Sequence, residues 1–210
     1  MIGVIAATIT DVRLGCQLIE KHGIECKGVP FANSPVEFEV KLKSLSMSEL
    51  TKQILNIANE ISTKTILINC NFLAGAVDLI ELKNKYKVVT PFEAYKSIAT
   101  NFTTFGLISS WCQATALIEK YIININKRAI VIGIGNLHLV NDIEADLPAE
   151  FIVKKYSIND QCRLFVKAGA ELVILGCTHL TYIAEHLDKD IPIFEPSKEM
   201  IKIVKEKSND

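Results

Sequence analysis

The residues best suited to chemistry lie in the segment LVILGCTHLTYI, which begins at Leu172 and ends at Ile183. Cys177, Thr178 and His179 directly follow its apolar run, so a thiol, a hydroxyl and an imidazole stand where a buried strand is predicted to end. Such a thiol can act as an acid, a base or a nucleophile, and an imidazole two residues away can assist it. This segment therefore holds a candidate catalytic group, and the remaining question is whether Cys177 acts alone.

The sequence repeats this arrangement in its first half. A shift of 107 residues places Cys70 on Cys177, and apolar residues at i, i+3, i+4 and i+7 follow both, which predicts a helix after each cysteine. The segment IGVIAATIT, from Ile2, likewise resembles FGLISSWCQ, from Phe105. Because these matches occur in the same order, we infer an internal repeat of about 100 residues, a normal size for a small domain.

Short apolar runs alternate with amphipathic helical patterns along the chain, which is typical of α/β proteins with parallel sheets. The runs are Ile2–Ala6, Thr65–Ile68, Tyr86–Val89, Thr104–Ile108, Ala129–Ile134, Leu172–Leu175 and Ile191–Phe194. With the repeat, they predict two pseudosymmetric parallel-sheet α/β domains with a ligand cleft between them. The first is expected at residues 1–92 plus 195–210 and the second at 93–194. Since ligands of open α/β sheets bind at the carboxyl ends of strands, both cysteines are expected to face that cleft.

The composition, net charge and cysteine spacing of the chain argue against several classes of protein. The chain has 210 residues, 49% of them hydrophobic, and a formal net charge of -1, which gives no electrostatic reason to expect nucleic acid or an anionic membrane. No apolar stretch approaches the roughly 18 residues that span a bilayer. The start at Met1 lacks a basic signal-peptide region, and the six cysteines form no CxxC pair. We therefore expect reduced thiols in a cytoplasmic protein.

Two thiols at repeat-equivalent positions suit the inversion of a stereocentre that carries an acidic C–H. One face of the carbon needs a base and the other an acid, and a thiolate and a thiol can exchange these roles. No metal is expected, because Cys177 and His179 alone do not make a metal site. No organic cofactor is expected either, since the glycines at Gly133 and Gly135 lack the third glycine of a dinucleotide fingerprint.

The motifs NCN at 69–71 and LGCTHL at 175–180, with the IGVI start and FGLISS at 105–110, resemble the aspartate/glutamate racemase superfamily, and within it glutamate racemase. The resemblance covers most of the chain. It implies two pseudosymmetric α/β domains and cofactor-independent two-base catalysis. It also implies that Cys70 and Cys177 are the acid/base residues, that His179 assists Cys177, and that Asn71 and Thr178 bind substrate.

The sequence departs from glutamate racemases around the first cysteine. Their first strand ends in Asp-Ser, whereas this chain has Ala6 and Ala7 followed by Thr8, and their Cys-Asn-Thr ends here in Phe72. Ala7, Thr8 and Phe72 are expected to contact the substrate. The changes therefore favour either a different or less polar acid or a weakened site.

Two further candidates and the expected partners complete the site hypothesis. Ser109 and Ser110 end the first strand of the second repeat and are candidates for ligand contact. The expected partner is a small amino acid or related carboxylic acid, with a homodimer as one assembly to test.

Three function hypotheses stay open at this point. An amino-acid racemase or epimerase best explains two equivalent cysteines. A hydrolase, transferase or decarboxylase with one cysteine nucleophile would use Cys177 and His179 but leaves Cys70 without a role. A ligand-binding protein with degenerate catalysis would explain the loss of polar groups at Ala6, Ala7 and Phe72.

Overall fold

The computed structural model describes residues 1–209, and their side chains as far as Lys207. The chain divides into two compact units, one formed by Met1–Glu93 with the segment from Ser197 onward, and the other by Ala94–Pro196. Each unit contains a four-stranded, fully parallel sheet with helices packed on it. The predicted fold class of two parallel-sheet α/β domains is confirmed.

The first unit has the strand order β2-β1-β3-β4. Its elements are β1 (Ile2–Ala6), α1 (Ile9–Glu20), β2 (Cys26–Pro30), α2 (Pro35–Ser44), α3 (Met47–Ile61), β3 (Thr65–Ile68), α4 (Asn71–Ala76), α5 (Leu79–Lys83), β4 (Lys87–Val89) and the start of α6 (Pro91–Ala99). The terminal helix of the chain, Pro196–Asn209, adds its residues from Ser197 onward to this unit.

The second unit has the same order, β6-β5-β7-β8. Its elements are β5 (Thr104–Ser109), α7 (Cys112–Ile125), β6 (Ile130–Gly135), α8 (Leu137–Glu144), α9 (Ala149–Lys155), α10 (Ile158–Lys167), β7 (Leu172–Leu175), 3₁₀ turns at Thr178–Tyr182 and Ala184–His186, and β8 (Ile193–Phe194).

The two sheets carry the cysteines at equivalent places. In the first, Ile68 at the end of β3 pairs with Ile5 of β1. In the second, Leu175 at the end of β7 pairs with Ile108 of β5. Cys70 and Cys177 each lie two residues beyond those paired ends and have similar extended backbones, with φ/ψ of -162°/124° and -140°/134°. The internal repeat inferred from the sequence is thus a repeat of structure.

The central strands form where the sequence is continuously apolar. All residues of β1 and β3 are buried, and so are all of β7 except its first. A parallel strand covered by helices on both faces selects for such runs, because each side chain enters the core. Helix α3 begins with a reciprocal capping box between Ser46 and Glu49, which satisfies two backbone N–H groups at its first turn.

The helix predicted after Cys177 is wrong, whereas the helix predicted after Cys70 is present but short. Cys177 leads into two 3₁₀ turns and Cys70 into a helix of only six residues. The apolar spacing misled because a 3₁₀ turn also places residues i and i+3 on one side, so that Leu180 and Ile183 are both buried. Strand β2 was not predicted, because its sequence CKGVP is not an apolar run.

Candidate functional site

Cys177, His179 and Glu144 form a connected series in the second unit. The Sγ atom of Cys177 lies 3.6 Å from Nδ1 of His179. The other ring nitrogen, Nε2, lies 2.7 Å from Oε1 of Glu144. The His179 and Glu144 side chains are largely buried, whereas Cys177 is half-buried. The thiol is therefore the member of the series that a ligand can approach.

The carboxylate of Glu144 determines which ring nitrogen of His179 carries the proton in the neutral ring. An ionised carboxylate can only accept hydrogen bonds, so Nε2 of His179 donates to Glu144. In the neutral ring, Nδ1 is then the acceptor and faces Sγ of Cys177. His179 can take the thiol proton, and Glu144 stabilises the imidazolium that results.

Local structure explains how these groups meet. The side chain of Asn136 caps α8 by accepting from the backbone N–H of Leu139, and the helix ends at Glu144. Helix α8 packs on the 3₁₀ turn that carries His179. The Tyr182 hydroxyl then ties that turn to the chain just beyond α8 by donating to the carbonyl of Leu147.

Glu144 is the residue that sequence reasoning missed. It is the last residue of α8 and lies 35 positions before His179. No spacing rule links the two, and a glutamate at the end of a helix ordinarily faces solvent. The sequence offered one signal for Glu144, namely an acidic residue in the same repeat as His179. That signal is weak.

Cys70 has a different setting in the first unit. It caps α4, and its Sγ accepts from the backbone N–H of Leu73 at 3.5 Å. The preceding residue, Asn69, is buried and donates from its side-chain amide to the carbonyl of Asp11 at 3.2 Å. This bond ties the end of β3 to the first turn of α1. The backbone N–H of Asn69 also donates to the carbonyl of Ile5 at 2.8 Å, which holds the cysteine loop against β1.

The other predicted site residues of the first unit surround the same loop or the neighbouring strand end. Ala7 directly follows β1 and is buried. Thr8 is the N-cap of α1, and its hydroxyl accepts from the backbone N–H of Asp11. Asn71 and Phe72 are the first residues of α4, the former buried and the latter half-buried. The structure thus places Thr8 in a capping role and the other three at the carboxyl edge of the sheet.

In the second unit, the predicted residues divide in the same way. Thr178 is buried at the start of the 3₁₀ turn next to Cys177. Ser109 ends β5 fully buried, and its hydroxyl bonds the carbonyl of Trp111 and the hydroxyl of Thr115, which fixes the start of α7. Ser110 lies half-buried in the same connection. These contacts favour a structural role for Ser109.

The remaining cysteines divide by environment. Burial raises the pKa of the Cys162 thiol to about 12, and burial together with contacts to Cys16 and Glu20 raises that of Cys26 to about 12. Burial also raises the pKa of Cys16, whereas Cys112 is simply exposed at the start of α7. A raised pKa keeps a thiol protonated and poorly reactive, as expected for Cys16, Cys26 and Cys162.

Two features are absent from the described residues: a cluster of metal-ligating side chains and a membrane-spanning helix. Over residues 1–209, no three His, Cys, Asp or Glu side chains are grouped closely enough to hold a metal ion. Within the same range, no helix has the length and apolar character required to cross a bilayer.

Racemases are among the known proteins to which this chain is similar. No protein-family profile matches the chain. A glutamate racemase of Clostridium botulinum is 24% identical over 180 residues, which are 81% of this chain. The matched region spans 66% of that enzyme's length.

Solved structures have the same fold. The glutamate racemase of Francisella tularensis, in complex with D-glutamate, has a TM-score of 0.69, with 22% identity over 98% of this chain and 79% of its own. The allantoin racemase of Klebsiella pneumoniae has a TM-score of 0.68, with 14% identity over 100% of this chain and 88% of its own. A putative Asp/Glu racemase of Yersinia pestis has a TM-score of 0.64, with 13% identity over 100% of this chain and 99% of its own. Sequence and fold together confirm the resemblance of this chain to the aspartate/glutamate racemase superfamily.

Proposed function

We propose that this protein is a cofactor-independent amino-acid racemase in which Cys70 and Cys177 exchange protons with opposite faces of one α-carbon. The observation that supports this most is the equivalence of the two cysteines, each two residues beyond the paired end of a central strand in sheets of identical order. A single-thiol enzyme has no use for the second cysteine at that position.

The proposed reaction needs only the two thiols and the groups that hold them. In one direction, the Cys177 thiolate removes the α-proton, and the Cys70 thiol delivers its own proton to the opposite face of the resulting carbanion. The products are the inverted acid, a Cys177 thiol and a Cys70 thiolate, so the reverse reaction starts from the state that the forward reaction leaves. His179 accepts the thiol proton when the Cys177 thiolate forms, and Glu144 stabilises the imidazolium.

The substrate that we propose is an α-amino acid or a related carboxylic acid. The Francisella relative was solved with D-glutamate and an Escherichia coli glutamate racemase with L-glutamate, which makes such acids the first to test. Ala6, Ala7 and Phe72 offer no polar side-chain group at the edge that carries Cys70. We therefore expect a less polar side chain than that of glutamate to be accepted.

One observation favours a second candidate, a cysteine-nucleophile enzyme. The series of Cys177, His179 and Glu144 has the order of nucleophile, base and orienting carboxylate that activates nucleophilic thiols. The two candidates differ in whether Cys70 is essential and in whether the substrate carbon exchanges its proton.

The deciding experiment follows deuterium from heavy water into the α-position of a panel of L- and D-amino acids. The wild type is compared with Cys70→Ser, Cys177→Ser and the control Cys112→Ser, which alters an exposed thiol that the mechanism does not use. A racemase places deuterium in the inverted product. Each active-site variant is expected to lose inversion by at least roughly 100-fold, since each removes a general acid or base.

The exchange pattern separates the hypotheses further. Each serine variant retains one thiol and is expected to exchange the α-proton of one enantiomer, with opposite enantiomers for the two variants. Inversion at the wild-type rate in Cys70→Ser would refute the two-base proposal. Turnover without deuterium at carbon, with only Cys177 required, would instead support the nucleophile.

A further inference from the structure

Glu195 directly follows β8, the strand that pairs with β7 at the edge of the second sheet. It is half-buried, and its Oε1 atom accepts a hydrogen bond from the Thr181 hydroxyl at 3.0 Å. Thr181 lies two residues after His179, in the 3₁₀ turn that follows Cys177. A carboxylate at the end of the outer strand is thus bonded to the turn that carries His179.

The three sides of this turn have different contacts. In a 3₁₀ turn, side chains three residues apart lie on the same side. His179 and Tyr182 share one side, and both bond to α8 or to the chain just beyond it. Leu180 and Ile183 share the second side and are completely buried. Thr181 lies on the third side, so its hydrogen bond restrains the turn in a different direction from the other contacts.

The equivalent residue of the first unit is Thr90, which has different partners. It also directly follows the last strand of its sheet and directly precedes the proline that begins a helix. The backbone N–H and the hydroxyl of Thr90 both donate to the carboxylate of Glu93, and the hydroxyl accepts from the backbone N–H of Phe92. Thr90 thus takes part in a reciprocal cap of its own helix, α6.

The second unit cannot form this reciprocal cap. The residue three positions after Glu195 is Lys198, whose ammonium group can only donate hydrogen bonds. Where the first unit has a threonine bonded within its own helix, the second unit has a carboxylate that bonds across to Thr181. This bond to a neighbouring turn occurs in the unit in which a histidine lies beside the cysteine.

We propose that Glu195 is a positioning residue, which acts through Thr181 to hold Nδ1 of His179 toward the Cys177 thiol. Sγ and Nδ1 lie 3.6 Å apart, so the base reaches the thiol only while the turn keeps its place. A misplacement of about 1 Å at a catalytic group can cost about 100-fold in rate. The role of Glu195 in racemisation rests on the proposed function, whereas its effect on the reactivity of the Cys177 thiol does not.

The test is the rate at which iodoacetamide labels Cys177 at neutral pH, with the exposed Cys112 as the reference in the same sample. The thiolate is the reactive form, so labelling is faster when His179 accepts the thiol proton. Glu195→Ala and Thr181→Val each remove the hydrogen bond and should lower the labelling rate of Cys177, relative to Cys112, about 3- to 10-fold. Thr181→Ser keeps the hydroxyl and should label like the wild type.

The direction of the change separates positioning from a merely structural role. A turn that only loosens exposes Cys177 and raises its labelling rate, whereas a displaced base lowers that rate. The double variant Glu195→Ala with Thr181→Val should match either single variant, because all three lack the same bond. The control Glu185→Ala removes an exposed carboxylate from the neighbouring 3₁₀ turn and should leave the rate unchanged.

The two single variants remove the bond from opposite ends, so one that folds is sufficient. Unchanged or faster labelling of Cys177 in a folded Glu195→Ala or Thr181→Val variant would overturn the proposal. Labelling of Thr181→Ser as slow as that of Thr181→Val would overturn it as well. If the rates fall as expected but no amino acid exchanges its α-proton, the positioning role stands and the proposed function fails.

Discussion

Replacing Glu144 with glutamine tests whether the carboxylate positions His179 for proton transfer. The substitution keeps the size of the side chain but removes the negative charge that faces Nε2 at 2.7 Å. A hydrogen bond to a charged group contributes about 1.5–3 kcal/mol. If that stabilisation is gained only when the imidazolium forms, its loss should lower kcat/KM about 10- to 150-fold.

The assay is racemisation measured from both enantiomers, with circular dichroism following the change in optical activity. The two enantiomers have the same free energy in water, so kcat/KM must fall by the same factor in both directions. The control is Glu150→Gln, which alters a glutamate that is 85% exposed and lies 3.7 Å from the half-exposed His186. That pair is in the same unit but has no part in the series, so activity should be unchanged.

A double substitution shows whether Glu144 acts through Cys177. In a Cys70→Ser background, only Cys177 can exchange the α-proton, and adding Glu144→Gln should reduce that exchange further. In a Cys177→Ser background, the same addition should have no effect. The reasoning is refuted if Glu144→Gln retains kcat/KM within twofold of the wild type, or if it reduces exchange equally in both backgrounds at unchanged thermal stability.

Three further outcomes follow from the structure. Iodoacetamide should label Cys112 faster than Cys162, because Cys112 is exposed whereas burial raises the pKa of Cys162 to about 12. Peptide mapping that finds equal labelling rates for the two cysteines would contradict this. Burial is the largest influence on the pKa of Glu93 and raises it, but the hydrogen bonds from Lys83 and Thr90 and the charge of Lys83 together outweigh burial and leave the pKa below its ordinary value of 4.5. The stabilisation from ionised Glu93 is therefore present above pH 4.5 and is lost as the pH falls through the lowered pKa, so Glu93→Gln should flatten the acid limb of Tm against pH. Gly106→Ala should lower the free energy of unfolding in urea by about 1–3 kcal/mol, because the added Cβ would lie 2.7 Å from Cβ and Cγ of Phe165. An unchanged urea midpoint would show that the Phe165 side chain shifts freely.

Each apolar run of the sequence corresponds to a strand, and among the strands of the described residues only β2 was missed. Thr65–Ile68 and Leu172–Leu175 were predicted to the residue, because strands buried on both faces must be continuously apolar. Strand β2 escaped notice because an edge strand can carry Lys27 and Pro30, which break the apolar pattern. The pattern thus reports apolar composition and not burial, since β6 was predicted at Ala129–Ile134 and lies at Ile130–Gly135 although none of its residues is buried.

The part of the candidate site that could be predicted from the sequence is the part that occurs in both repeats. Cys70 and Cys177 could be paired because the chain carries each at the same place in two similar segments. Glu144 has no counterpart in the repeat and meets His179 only through the packing of α8 on the turn after Cys177. A contact of this kind depends on tertiary structure, which single-sequence periodicity does not encode.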